Sequence, residues 1–460
     1  MHQAPASSEF IENITYDDLT IGRSACLVRR LSVDDILAFA AISGDVNPAH
    51  VDAEYAENTL FHGVIAHGMW GGALISTLLG ASFPGPGTIY VEQSLRFLRP
   101  MRIGDTLTVQ ASVVARDDQK KRVTLDCQIA NQQGVTVISG TAVVIAPVSK
   151  VRRPRVAMPQ LQLFDPHARW QALLAQVKGW PALSCAFVHP CHGFSLQAAL
   201  DARELGLLQP VLVGPRAKIL AAAEAAGLDI RDLPIHDAPH SHAACELALD
   251  MAQSGQVAAL FKGSVQAQEL MHALLARPAL LSKYRLSHIV RFDLPGRLQP
   301  LLLTDAGINV APDLMIKADI VQNAIRLAQA YGVPTPKVAI LAAQDTININ
   351  LPSTLDAAAL CKMAERGQIS GADLDGPLDL GQVLSQAAED AVDILLAPDL
   401  ESAHLLARQW QTQAGAMHSG LVLGARIPVI LCDDSAGPRS ASASAALAQL
   451  LNRHLLQYGI

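Results

Sequence analysis

The stretch "VIAHGMWGGALISTLLGASF", residues 64–83, is the most apolar in a chain of 460 residues, and something must cover it. His67 and several glycines interrupt it, which suits a helix buried inside a protein better than a membrane span. The cover follows directly in the sequence. From Thr88 the hydrophobic period drops to two in "TIYVEQSLRFLRP", "TLTVQASVVAR", "RVTLDCQIAN" and "VTVISGTAVVIAP". These read as antiparallel strands, with "DDQKK" and "NQQG" as polar turns. One apolar helix, with Leu74, Leu78 and Leu79 facing inward, wrapped by an antiparallel sheet is the expected α+β architecture. Ahead of it, Ser32 and Asp35 form a capping-box pattern before "ILAFAAIS", and Gly44 supplies the stop.

Single hydrophobic cores stop growing near about 250–300 residues, so this length implies more than one domain. Around residues 147–160, Pro147, Pro154 and Pro159 alternate with Lys150, Arg152, Arg153 and Arg155, which reads as a linker. The expected division is residues 1–148, a linker at 149–162, and residues 163–460. Beyond it, short apolar runs ("SCAFVHP", "PVLVGP", "VAALFKG", "HIVRF", "PLLLTDA", "KVAILAA", "DILLAPDL", "PVILCDD") alternate with helical patterns. That alternation predicts an α/β domain with a mainly parallel sheet.

Composition excludes several classes. Half the residues are hydrophobic and 17% are charged, so the chain is core-rich. The net charge of −7, without a long basic run, argues against a nucleic-acid partner. Seven scattered cysteines without a CxxC pair, and an N-terminus without signal-peptide features, point to a reduced, cytoplasmic protein with no membrane partner.

The stretch "SGDVNPAH", residues 43–50, places Asp45 and His50 five residues apart on a loop that Pro48 stiffens. A histidine near neutrality suits general-base work, and a nearby carboxylate can orient a water. The same residues also make an ordinary turn, with Asp45 as a cap, Asn47 as a turn former and His50 on the surface. Gly68, at the opening of the apolar helix, can bring its N–H and the helix dipole to a developing negative charge, or simply allow a tight start. Ser76, two turns on, is either a pocket hydroxyl or one bonded back to its helix.

Taken together, "FAAISGDVNPAHVDAEYAE", "HGVIAHGMWGGALISTLLG" and "GTIYVEQSLRFLRPMRIGDTLTV" resemble the MaoC-type, (R)-specific enoyl-CoA hydratases across roughly residues 15–146. The resemblance implies a hot-dog fold, with Asp45 and His50 as the catalytic pair and Gly68 as the oxyanion glycine. Asn47 and Ser76 are the accompanying substrate-binding candidates. It further implies syn hydration of a trans-2-enoyl-CoA to the (3R)-hydroxyacyl-CoA, a homodimer or higher homo-oligomer, and no cofactor beyond the coenzyme A thioester itself.

In the second half, "FKGS" after a short apolar run offers the backbone of Gly263 and Ser264, with Lys262, to an anion, or is a plain strand-to-helix turn. Asp305 and Asn309 in "TDAGINVAPDL", and Asp375 in "DGPL", sit where such sheets place ligands, or else cap turns. Residues 165–455 resemble the phosphate acetyl/butyryltransferases, in which a cleft between two α/β subdomains moves an acyl group between CoA and phosphate without a metal. The order of the two parts resembles bifunctional enoyl-CoA hydratase/phosphate acetyltransferases. One departure stands out: where those relatives carry Ser-Arg, this chain has Asp433 and Asp434, which would repel phosphate. Either the second domain transfers acyl groups despite that change, or it is a CoA-binding or oligomerising module. The histidines and cysteines of "HPCH" and "HDAPHSHAAC" match no closed zinc spacing, so no metal is expected.

Overall fold

The structure is a computed structural model that describes residues 2–3, 10–156, 165–297, 299–385, 391–432 and 437–458. The chain divides into two compact units, residues 1–163 and 164–460.

In the first unit, the capping box forms as the sequence suggests. The Ser32 hydroxyl accepts from the Asp35 N–H, and the Asp35 carboxylate accepts from the Ser32 N–H, so two orphan donors at the start of helix Val33–Ser43 are satisfied. Gly44 ends that helix at φ 74°, a left-handed conformation that a Cβ disfavours. The apolar helix is Gly68–Ala81; it buries Trp70, Leu74, Ile75, Leu78 and Leu79, a stripe at three- and four-residue spacing.

The stripe faces a sheet whose strands run in the order Ser24–Arg30, Thr106–Asp117, Arg122–Ala130, Thr136–Ile145, Ile89–Gln93, all antiparallel. His2–Gln3 extends the far edge in parallel, and Arg96–Phe97 pairs with Thr136–Ile145. Alternation is carried through: Leu107, Val109, Ala111 and Val113 are buried while Thr106, Thr108 and Gln110 are less so. At about 1.5–3 kcal/mol for each fully buried large side chain, this helix-on-sheet contact is the dominant stabilising term of the unit. Part of the expected linker belongs here, because Arg152–Pro154 pairs antiparallel with Phe10–Glu12.

In the second unit each of the eight apolar runs forms a strand. They belong to an eleven-stranded sheet with the order Ile235–Asp237, Leu208–Gly214, Leu183–Val188, Ala259–Lys262, Val429–Ile430, Met417–Leu423, Ser287–Asp293, Leu301–Thr304, Ile394–Leu396, Lys337–Leu341, Asp373–Leu378. The sheet is mixed and largely parallel. Its antiparallel pairs all lie in the middle, where Ser287–Asp293 joins Leu301–Thr304 and Met417–Leu423, and the latter joins Val429–Ile430. The connections at residues 294–300 and 424–428 are too short for a parallel crossover, so the chain must turn back beside itself. Among the described residues, no helix is long and apolar enough to cross a membrane.

Two substitutions test this packing. A Cβ at Gly140 would lie 1.9 Å from the Ser94 carbonyl oxygen, a backbone atom. Gly140→Ala is expected to cost about 1–3 kcal/mol, read as a lower unfolding midpoint for the first unit; an unchanged midpoint would mean that the 94–95 backbone shifts freely. In the second unit the almost fully buried Arg291 guanidinium is bidentate on Asp293, at 2.5 and 2.9 Å. Asp293→Ala leaves that cation alone in the core and is expected to cost about 3–5 kcal/mol. An intact urea midpoint for the second unit would show that the pair is dispensable.

Candidate active site

The loop between helix Val33–Ser43 and the next one is built by short side chains bonding backbone. The Ser43 hydroxyl accepts from the Asp45 N–H, the Asp45 carboxylate from the Asn47 N–H, and the Asn47 side chain from the Ala49 N–H. Asn47 thereby caps the four-residue helix Pro48–Val51, with Pro48 in the first position, where its missing N–H costs nothing. The sequence pattern that ends one helix thus starts another, and His50 rides on it.

His50 Nδ1 lies 2.8 Å from the Ile65 carbonyl oxygen. A carbonyl only accepts, so Nδ1 carries the proton and Nε2 is left with a lone pair. The buried His67, which precedes the apolar helix, is fixed the same way: its Nε2 lies 2.9 Å from the Asp45 carbonyl oxygen. Its Nδ1 is buried and makes no hydrogen bond. The two rings pack at 4.0 Å, and Phe39 backs His67 at 5.0 Å. Side-chain polar atoms of Asp45, His50 and His67 converge within 4.8 Å of one another.

These three groups line a cavity of about 430 Å³, whose other walls include Gly68, Phe97 and Ile138. Gly68 is the first residue of its helix, where N–H groups have no intrahelical acceptor and the dipole is positive. A Cβ there would lie 2.8 Å from the Phe97 ring, so the glycine makes room for that apolar wall. The cavity therefore joins two proton-transfer groups, an unpaired helix terminus and an apolar chamber. Of the residues singled out in the sequence, Asp45, His50 and Gly68 meet here. Asn47 and Ser76 do not line this cavity in the single chain: Asn47 is an exposed cap, and Ser76 is exposed two turns along the helix. His67 and Phe97 escaped sequence reading; the one local signal was a histidine directly before the helix-opening glycine.

The second unit departs further from expectation. The "FKGS" backbone is not available to an anion, because Gly263 N–H donates to the Val188 carbonyl and Ser264 N–H to the His189 carbonyl, both at 2.9 Å. The Lys262 ammonium donates to the Gly263 and Val265 carbonyls, and the Ser264 hydroxyl accepts from the Cys191 N–H. Asp305 is buried and accepts from the N–H groups of His288, Gly307, Ile308 and Asn309 and from the Asn309 amide. It organises a loop and has no spare capacity for substrate.

Asn309 does face a cavity, of about 370 Å³, with Met271, Tyr284, Arg285 and Ile308. Its side-chain oxygen accepts from Arg285 Nε at 3.2 Å. Asp375 lies exposed on strand Asp373–Leu378, outside that cavity. Its charge, second to burial, helps push the Cys361 thiol up to about 11. Asp433 and Asp434 lie outside the described residues. His192 and His240 serve as helix N-caps, accepting from the Ser195 and Ala243 N–H groups. Among the described residues, the one cluster with metal-ligand spacing is Asp45, His50 and His67.

Comparison with known proteins separates the two units. Residues 20–133 match the family model for the MaoC like domain, and residues 242–448 that for phosphate acetyl/butaryl transferase. Over 134 residues the chain is 46% identical to an (R)-specific enoyl-CoA hydratase of Rhodospirillum rubrum, covering 29% of this chain and 91% of that protein. Over 294 residues it is 42% identical to a phosphate acetyltransferase of Rhizobium meliloti, covering 62% of this chain and 93% of that protein. The crystal structure of a branched-chain phosphotransacylase from Enterococcus faecalis superposes with a TM-score of 0.52 at 24% identity, covering 59% of this chain and 99% of that one; it shares the fold of the second unit. The chain is a fusion that belongs to two families, the MaoC-like (R)-specific hydratases through its first unit and the phosphate acetyl- and butyryltransferases through its second.

Proposed function

We propose that the first unit hydrates a trans-2-enoyl-CoA to the (3R)-hydroxyacyl-CoA, with Asp45 and His50 as its catalytic residues and no cofactor. The observation that carries this reading is the convergence of Asp45, His50 and the start of the apolar helix on one cavity. A water held between His50 Nε2 and the Asp45 carboxylate attacks C3 of the thioester as the imidazole draws off a proton. Electron density shifts from the C2–C3 double bond to the thioester oxygen, where the Gly68 N–H and helix dipole stabilise the enolate. The proton then returns to C2 on the same face. One water is consumed, hydroxyl to C3 and hydrogen to C2, and both side chains end as they began.

The acyl group enters between Phe97 and Ile138. Pairing of two copies fits the first unit as well: edge strand Ile89–Gln93 exposes Ile89, Tyr90 and Val91, an apolar edge that a second copy would cover.

For the second unit the proposal is acyl exchange between CoA and phosphate, in the Asn309 cavity. A second reading, CoA binding without transfer, is favoured by the closed "FKGS" turn and by Asp433 and Asp434 in place of the Ser-Arg pair.

Two measurements decide these readings. Asp45→Asn is expected to lower hydration turnover by about a thousandfold, within the range for losing acid–base help, while the unfolding midpoint stays in place. Turnover near that of the unaltered chain would remove Asp45 from the chemistry. Mixed with acetyl or butyryl phosphate and CoA, the full chain is expected to form thioester; CoA binding without thioester would assign the second unit to binding alone.

A further inference from the structure

The second unit holds a second pocket, of about 730 Å³, with an unusual wall. Lys283, Arg326, Arg453 and His454 all line it, and among the described residues neither Asp nor Glu does. The cations are held by rings: the Arg453 guanidinium lies 4.2 Å over Trp180, and Arg326 and Lys283 lie 4.4 and 5.0 Å from the centre of Tyr284. His454 packs on Tyr458 at 4.5 Å. Like charges gathered without a counter-ion are a cost to the folded chain. It shows at His454, which burial and then the Arg326 charge hold below its usual range; Arg326 itself is lowered by burial. Arrays of this kind are stabilised when a ligand brings the missing negative charge, and the volume lies within the usual range for small-molecule pockets, about 300–1,000 Å³.

We infer that this pocket is a binding site for a small molecule carrying two or more phosphate groups. The guanidinium groups can each engage phosphate oxygens in pairs, and because their planes already rest on aromatic rings, little side-chain freedom is lost on binding. Tyr284 also lines the Asn309 cavity, so the segment around it walls both pockets. A ligand here touches the back of the wall that faces the proposed transferase cavity. Two sources offer this chemistry, a free nucleoside polyphosphate and the phosphate-bearing end of coenzyme A.

The test is calorimetric titration of the full chain with inorganic pyrophosphate, ATP and CoA. It compares the unaltered protein with the double variant Arg326→Gln/Arg453→Gln and, separately, with the exposed single variant Lys283→Gln. Pyrophosphate is expected to fill one site per chain that weakens at least about tenfold in the double variant and to a smaller degree in Lys283→Gln. Binding at the other sites for these anions cancels in the comparison. If ATP displaces pyrophosphate from that site more strongly than CoA does, a free nucleotide is the source; the reverse order names coenzyme A. Identical isotherms for all three probes in the unaltered chain and in Lys283→Gln, with the double variant either identical or unfolded, would overturn the assignment.

Discussion

Two hydrogen bonds hold the first site together, and each comes from a histidine ring to the other segment's backbone. His50 Nδ1 reaches Ile65, and His67 Nε2 reaches Asp45. The loop at residues 45–50 and the segment at 65–67 are thereby cross-linked in both directions. Neither ring can turn without breaking its bond, a net loss of about 0.5–1.5 kcal/mol each. Since Gly68 follows His67, the same bonds set the distance between the Asp45–His50 loop and the helix terminus. The packed helix and sheet give these bonds something rigid to pull against.

The features legible in the sequence are those fixed by neighbours along the chain. Gly44, Asn47 and Pro48 shape a loop through bonds spanning a few residues, so the shared turn of Asp45 and His50 can be read from the residues around it. The eight apolar runs of the second unit are legible for the same reason. What stays hidden depends on partners far away. His67 acquires its place from a carbonyl 22 residues upstream. The "FKGS" turn resembles an anion cradle because its N–H groups have no local acceptor; the acceptors are carbonyls of a different strand, some 75 residues earlier. Asp305 looks like a ligand because a carboxylate at a strand end usually is exposed, and only the fold shows five donors aimed at it. The antiparallel middle of the sheet follows from short returns that composition does not distinguish from βα turns.

The two units solve a shared problem differently. The first brings the polar groups of its cavity, from Asp45 to Gly68, to the end of one buried helix, with strand residues such as Phe97 and Ile138 closing the apolar side. The second forms its cavities where residues hundreds of positions apart meet, as Trp180 and Arg453 do. In the second, the segment at residues 282–286 borders two cavities at once, so its side chains answer to both.

The tautomers fixed by those histidine bonds carry one more consequence. With both ring N–H groups turned toward backbone oxygen, His50 and Asp45 present the cavity only with lone pairs. A wall that only accepts is satisfied by a guest with two hydrogens to give, and water is the smallest. Held by both hydrogens, such a water has its oxygen lone pairs directed away from the wall, toward the apolar chamber. Polarity is thus written into the floor ahead of any guest: which end of the water faces the chamber is chosen by which nitrogen of the His50 ring keeps its proton.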